Sequence, residues 1–464
     1  MALHMTVEIV RDSGVSLTAQ IQSFIRREIS EGVLHPGTRL PSSRRLAHDL
    51  AVSRSVVVEA YGQLVAEGYL EAVQGAGTRV VRHLSPEPVV PALLDEGGEV
   101  PAVRWNLHTG GRNLPPFPRR EWLACYQRAL WSAASADHGY PPLAGEAGLR
   151  VELARYLGRV RGVRATGERV MVVAGFAQAL GLLCSVLRED GTAAIGIEDP
   201  GHPGQRQFVR ESGLRVVPVP VDEEGIDTEA LAASGVRAVL VTPAHQFPTG
   251  VALSARRREA LMRWARETGG LVVEDDYDGG LWYERGPRPL ALQRLAPEHV
   301  VYAGTASKTL APGLRLGWLA APEDLLDRLL RARARHDLGT DVLTQLAFAE
   351  MLRGGLLDRH LRRLNSHCRR RRDALEEAVH RHLPGAEVTG RAAGLHAYVR
   401  LPRHTDEAGV VAGALRRSVA VRGGAAFRLR PRRSAPALVV NHAHLPRSGV
   451  AEAVRTLGEV VSRR

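Results

Sequence analysis

The run Gly304-Thr305-Ala306-Ser307-Lys308-Thr309-Leu310-Ala311-Pro312-Gly313-Leu314-Arg315-Leu316-Gly317 contains the single lysine of a 464-residue chain. Lys plus Arg number 62, so 62 − 1 = 61 basic positions are arginine and one is not. Arginine serves ion pairs well, but its guanidinium never offers a free nucleophilic amine, so one retained lysine points to amine chemistry at that position. The apolar stretch Val300 to Ala303 precedes the run. The same rhythm repeats at Val170 to Val173, Ala193 to Ile197, Val216 to Val219, Ala238 to Val241 and Leu271 to Glu274, each separated from the next by a longer amphipathic segment. Such alternation predicts a mostly parallel sheet with helices on both faces, with its ligand site at the carboxyl ends of the strands.

The polar motifs fall at those ends. Ala174-Gly175-Phe176-Ala177-Gln178 is a glycine turn feeding a helix, whose free N–H groups and dipole suit a phosphate. Asp275, Asp276 and Tyr277 follow one strand; Thr305, Ser307 and Lys308 follow the next, with Arg315 seven residues beyond the lysine. Together they supply what pyridoxal 5'-phosphate requires: an amine for its aldehyde, a carboxylate for its ring nitrogen, a phenol for its ring hydroxyl, and hydroxyls with an arginine for its phosphate. Asp276 and Asp278 read as capping or surface groups. His245 is equally compatible with a place near the ring and with a structural role.

The length implies more than one domain. Cys125, Cys184 and Cys368 show no ligand or framework spacing, which suggests neither a disulfide scaffold nor a zinc site. Val170 to Leu187 approaches the length of a membrane span, but Gly175, Gln178 and Ser185 interrupt it, and a buried strand running into a buried helix explains it better. No export signal is evident at Met1 to Ser16, so the expected location is cytoplasmic. The net charge of +12 invites a nucleic-acid reading, yet residues 1–82 hold nine Arg against eight Asp plus Glu, a difference of 9 − 8 = +1. The excess lies downstream, at Arg328, Arg331, Arg333 and Arg335, at Arg362, Arg363 and Arg369 to Arg372, and in Arg428 to Arg433. The helical stretches read as solvated basic faces and the last as a basic loop, with auxiliary DNA contact the lesser reading.

Leu17, Ile21, Phe24, Ile25 and Ile29 recur at helical spacing, and Ser42 or Ser43 can cap a second, short helix. Ser53 can cap a third, with Val57, Ala60, Tyr61, Leu64 and Val65 facing inward. Glu71 to Val81 reads as a hairpin with glycines at its tip. This order predicts a winged helix-turn-helix over residues 1–82, whose third helix would enter the major groove. The segment 83–103, with Pro86, Pro88, Pro91 and Pro101, reads as a linker, and 104–464 as the large domain.

The run PGTRLPSSRRLAHDLAVSRSVVVEAYGQLVAEGYL resembles the DNA-binding domain of GntR regulators over nearly all of residues 16–82. By that resemblance Arg44, Ser53, Arg54, Ser55 and Gly75 contact an operator of double-stranded DNA, Arg54 being suited to bidentate reading of guanine. Many family members carry a further arginine where this chain has Val58. The remainder resembles fold type I aminotransferases, and the fusion resembles the MocR subfamily, through Tyr140 to Gly145, Val241 to Gly250, Glu274 to Asp278 and Gly304 to Gly317. The fold class expected is α/β, a winged helix-turn-helix domain joined to a large pyridoxal phosphate-dependent aminotransferase-like domain. The resemblance implies that Lys308 forms the Schiff base, Asp275 faces the ring nitrogen and Tyr277 the ring hydroxyl. Gly175, Phe176, Ala177, Thr305, Ser307 and Arg315 then line the phosphate, and Tyr140 reaches the phosphate of the opposite subunit of a homodimer. Two departures stand out. His202 occupies the position of a ring-stacking tyrosine and introduces a titratable group; Val439 aligns with the arginine that grips a substrate carboxylate, which Arg433 would replace only if its loop folds back. The expected function is a transcription regulator that senses pyridoxal phosphate, or an amine or amino-acid effector through an aldimine. The alternative is a working aminotransferase carrying an autoregulatory DNA-binding domain.

Overall fold

The computed structural model describes residue 10 and residues 14–73, 77–81, 103–109, 116–429 and 435–462. The chain divides into two compact units between residues 98 and 99.

In the N-terminal unit, α1 (Leu17–Ser30), α2 (Ser43–Asp49) and α3 (Arg54–Ala66) precede the hairpin of β1 (Leu70–Val73) and β2 (Gly77–Val80). Ser16 caps α1 through Ala19 N–H and Ser42 caps α2 through Arg45 N–H. Ser53 stands at the start of α3 without a side-chain cap bond; its hydroxyl meets that of Ser55 at 2.8 Å instead. Ile21, Ile25, Leu46, Val57, Ala60, Tyr61, Leu64, Leu70 and Val80 form one core, so the helical spacing of apolar residues and the hairpin close on each other. Val65 lies outside this core and is exposed, contrary to its expected inward orientation.

The large unit contains β3 (Trp105–Asn106), β4 (Val170–Val173), β5 (Ala194–Asp199), β6 (Arg215–Asp222), β7 (Gly225–Ile226), β8 (Ala238–Val241), β9 (Leu271–Asp276), β10 (Val300–Thr305) and β11 (Gly317–Ala320). After them come β12 (Glu387–Thr389), β13 (His396–Arg400), β14 (Val419–Ala420), β15 (Arg422–Gly423) and β16 (Ala437–Asn441). The principal sheet has the order β4-β11-β10-β9-β8-β5-β6-β7. From β10 through β6 the pairs are parallel, whereas β11 runs antiparallel between β4 and β10. β11 carries only four residues after a loop and has no preceding apolar signal of its own, so it escaped the reading by rhythm. A smaller antiparallel sheet, β12-β13-β16-β15, lies toward the C-terminus, and β14 pairs with β3.

The two-residue period of an extended strand explains the layering. Met171 and Val173 enter one core while Val170 and Val172 enter the other; Val301 and Ala303 join the first, Tyr302 the second. Both faces are apolar, which is why these strands read as continuous apolar runs.

At the end of β9 the same alternation separates two neighbouring carboxylates. Asp276 turns into the core, where Arg161 donates from Nε at 2.6 Å and from its terminal nitrogen at 3.1 Å, and Tyr302 donates at 2.6 Å. Arg161 is 1% and Asp276 5% exposed, so Asp276 is a buried ion-pair member rather than the capping or surface group expected. Burial pushes this carboxyl upward, but the Arg161 and Arg288 guanidiniums outweigh it and hold it below its ordinary value. Two arginines assigned to solvated faces are buried as well: Arg333 donates to the Val172 and Leu143 carbonyls, and Arg372 to Glu376. Among the described residues, no helix is long and apolar enough to cross a membrane.

Asp276→Ala leaves Arg161 buried without its counter-charge and is expected to cost about 3–5 kcal/mol, read as a lowered urea midpoint at unchanged slope. A loss below about 1 kcal/mol would show that the pair is solvated in practice.

Candidate functional site

A cavity of about 550 Å³ opens at the carboxyl ends of β9 and β10. Its lining includes Phe176, Ala177, His202, Asp275, Tyr277, Thr305, Ser307, Lys308 and Arg315. Lys308 follows β10 directly and is half-buried. Burial holds its amine below the ordinary lysine value, against the opposing pull of Asp278 and Asp275, which enlarges the neutral, nucleophilic fraction.

Asp275 stands on β9 opposite Ala303 of β10, which brings it to Lys308's end of the sheet. Its Oδ2 accepts a 2.8 Å bond from Gln205 Nε2, while Oδ1 is buried without a partner. Burial pushes its carboxyl up to about 8. A buried acceptor left unmatched in a cavity wall is the site a protonated ring nitrogen would satisfy. The Tyr277 hydroxyl donates to the His245 carbonyl at 3.0 Å and lies 3.2 Å from His245 Nδ1. That Nδ1 in turn is 2.7 Å from Asp278 Oδ2, so His245 and the 4%-exposed Asp278 are a buried pair and Asp278 is not a surface group.

The opposite end is built for an anion. Gly175 has φ +85° and begins the helix Phe176–Glu189, whose first N–H groups are free; a Cβ there would meet the Arg315 guanidinium at 3.3 Å. Arg315 donates to the Ala174 carbonyl, and Thr305 Oγ1 donates to Ser307 Oγ at 2.8 Å, which clusters the guanidinium, two hydroxyls and a helix N-terminus. The unmatched Asp275 oxygen, the neutral-leaning amine and this anion cradle fit the cofactor expected from sequence.

His202 caps the helix Pro203–Glu211, its Nδ1 accepting from Gln205 N–H at 3.3 Å. Limited hydration, then Lys308, Arg422 and Arg206, push it down to about 4. Its acceptor role and its lowered value favour the neutral ring near pH 7. Val439 is buried on β16 with Tyr398, Phe427 and Phe247; among the described residues Arg422 lies across the sheet from it and Arg428 bonds the Tyr398 side chain, but neither lines the cavity, and Arg433 lies outside the described residues. Tyr140 is not brought to the cavity: it is 87% exposed and lines a separate surface cleft with Pro141 and Gly339.

On the N-terminal unit Arg44, Ser53, Arg54 and Ser55 are exposed at the starts of α2 and α3. Arg54 Nε donates to Ser43 Oγ at 3.4 Å, which sets the two helix starts side by side. Arg45 pairs at 3.8 Å with Asp49 of its own helix. Gly75 lies outside the described residues. Sequence reasoning missed Gln205, Asn441 and His396 as cavity residues. Gln205 follows His202 by three positions, one helical turn, and that spacing was the available signal.

Residues 113–457 match the model of aminotransferase class I and II, and residues 17–80 that of the bacterial regulatory proteins of the gntR family. The chain is similar to the pyridoxine biosynthesis transcriptional regulator PdxR of Corynebacterium glutamicum, 35% identical with 84% of each chain covered. It is 31% identical to the probable rhizopine catabolism regulatory protein MocR of Rhizobium meliloti, over 86% of this chain and 84% of that one. Its fold is similar to that of LysN, an alpha-aminoadipate aminotransferase of Thermus thermophilus solved with N-(5'-phosphopyridoxyl)-L-leucine. That likeness has a TM-score of 0.69 at 29% identity, and covers 78% of this chain and 93% of that one.

The raised Asp275 carboxyl fixes the sign of a pH effect. Its folded value of about 8 exceeds the ordinary 3.8, so its contribution to stability is full below the lower value and is lost as pH rises through the upper one. In cofactor-free protein, Asp275→Asn is expected to flatten the fall in melting temperature across that window; parallel curves for variant and wild type would refute the assignment.

Proposed function

Because the chain belongs to the MocR subfamily of GntR-type transcription regulators, we propose that its large domain is the sensor that governs how its N-terminal domain engages DNA. The cofactor is pyridoxal 5'-phosphate. When bound, it supplies an aldehyde carbon that can exchange one primary amine for another and a ring that withdraws electrons. Lys308 would hold that carbon through Nζ, Asp275 would keep the ring nitrogen protonated, and Tyr277 would face the ring hydroxyl. Arg315, Thr305, Ser307 and the N–H groups after Gly175, at Phe176 and Ala177, would hold the phosphate, with His202 beside the ring. The unmatched Asp275 Oδ1 in the cavity that also contains Lys308 carries this reading.

Val439 supports sensing over turnover. A guanidinium fork is the strongest contact for an α-carboxylate, and a buried valine supplies none. The effector, the cofactor itself or an amine that displaces Lys308, would act only through unequal affinity for two arrangements of the protein. A homodimer is part of the proposal: Leu123, Leu130, Trp131, Tyr140 and Leu338 are exposed apolar or aromatic side chains, a set that would gain from burial against a second copy and would carry Tyr140 to the partner's phosphate.

Lys308→Arg is expected to abolish the visible absorption of lysine-bound cofactor while leaving far-UV circular dichroism intact. An unchanged spectrum would remove the basis of the reading, and sustained keto-acid release from amino acids by the wild type would replace it with enzymatic turnover. On the DNA side, Arg54→Ala should weaken operator binding by about 1–3 kcal/mol, roughly 5- to 150-fold in a mobility-shift titration, and relax preference at one base pair. Equal loss on all sequences would assign Arg54 to phosphate.

A further inference from the structure

Among the polar side chains that line the cavity, Asp278, His396 and Asn441 have no part in holding the cofactor. They lie next to the place where the carboxylate-gripping arginine is replaced. Val439 and Asn441 are two apart on β16 and so share a face, and Asn441 pairs across the sheet with His396 of β13. All three polar residues are nearly buried, at 4%, 3% and 3% exposure.

Their hydrogen-bonding capacities are set by bonds they already make. Asn441 Oδ1 accepts from Ala443 N–H at 3.1 Å, which orients the amide and leaves its Nδ2 as a donor. Asp278 Oδ2 is engaged by His245 Nδ1, and the carboxylate retains further acceptor capacity. The His396 ring donates to the Pro248 carbonyl, and its Nε2 is buried without a partner, hence the acceptor nitrogen of a neutral ring. A carboxylate oxygen of Asp278 and a ring nitrogen of His396 lie within 4.8 Å of each other. The subsite therefore presents two acceptors and one donor.

Three kinds of group can be weighed against that pattern. A carboxylate only accepts, and would face the Asp278 carboxylate, with which it can share no hydrogen bond. An ammonium only donates, and would leave the Asn441 amide unmatched. A hydroxyl does both. The amine end of the effector is already assigned to the cofactor aldehyde by the function proposed above, on which this step rests. We propose that Asp278, His396 and Asn441 form an effector subsite selective for a hydroxyl group, so that the effector is an amino alcohol rather than an amino acid.

Arg422 provides the strongest counter-argument. It lies on β15 opposite Val439, is exposed, and is near enough to His202 to depress its protonation. The test sets it against the three residues directly. Full-length protein saturated with pyridoxal phosphate is titrated with four matched three-carbon amines, 3-aminopropanol, propylamine, 1,3-diaminopropane and β-alanine, each corrected to its free-base concentration. The amine-induced change in visible absorption gives the half-saturation. The hydroxy-amine is expected to half-saturate about tenfold below the other three, and Asn441→Leu or Asp278→Asn to reduce that advantage to about twofold. The cofactor band itself reports whether each variant is folded and loaded. Tightest response to β-alanine, lost in Arg422→Leu, would overturn the proposal in favour of a displaced carboxylate clamp, and equal response to all four would also overturn it. Absence of any cofactor band in the wild type is a different failure, that of the sensor reading beneath it.

Discussion

The ion pair between Arg161 and Asp276 ties the end of β9 to a helix more than a hundred residues earlier in the chain, wholly out of water. Charge burial of this kind is tolerated only when both partners are bonded, and here Tyr302 and the Pro289 carbonyl complete the set. Because side chains alternate along a strand, holding Asp276 on one side obliges Asp275 to face the other. The cavity carboxylate is thus oriented by a neighbour that never touches the ligand. β10 pairs in parallel beside it, Gly304 opposite Asp276, and delivers Lys308 one turn later to the same end of the sheet.

Around that frame, burial sets the electrostatics of the site. It raises the Asp275 carboxyl, lowers the Lys308 amine and keeps His202 uncharged. Two of these shifts are costs of desolvation that a ligand of matching polarity would relieve, a ring N–H at Asp275 and a carbonyl carbon at Lys308. The site is organised to be completed, which is the property a sensor domain needs if ligand binding is to change its stability and its preferred conformation.

The surroundings of Val439 set the proposed specificity. Val439 is buried in an apolar cluster with Phe247, Tyr398 and Phe427, of which Phe247 lines the cavity, and the polar groups Asp278, His396 and Asn441 of that cavity are set to exchange hydrogen bonds with a neutral partner. The consequence is a shift of specificity from charge to hydrogen-bond pattern. In buried surroundings such patterns discriminate strongly, because a mismatched ligand leaves a protein group unsatisfied.

Much of this was legible in one dimension. Helical and strand periodicities are local, so the three helices and hairpin of the N-terminal unit and six of the principal strands could be read from spacing alone. Lys308 could be singled out because composition removed every competitor. The glycine at 175 and the arginine at 315 were legible as an anion site in kind, although not as neighbours. Tertiary structure alone decided the rest. Arg333 and Arg372 look like members of solvated basic rows, and only through-space carbonyl and carboxylate partners show them to be buried. Asp275 and Asp276 are chemically identical in sequence, and the register of β9 against β10 together with Arg161 assigns one to the cavity and one to the core. Gln205, His396 and Asn441 come to the cavity from segments far apart in the chain. Sequence determines which residues can share a helix or strand face, since that depends on the backbone's own period; which faces meet depends on long-range packing, and the site is made where they meet.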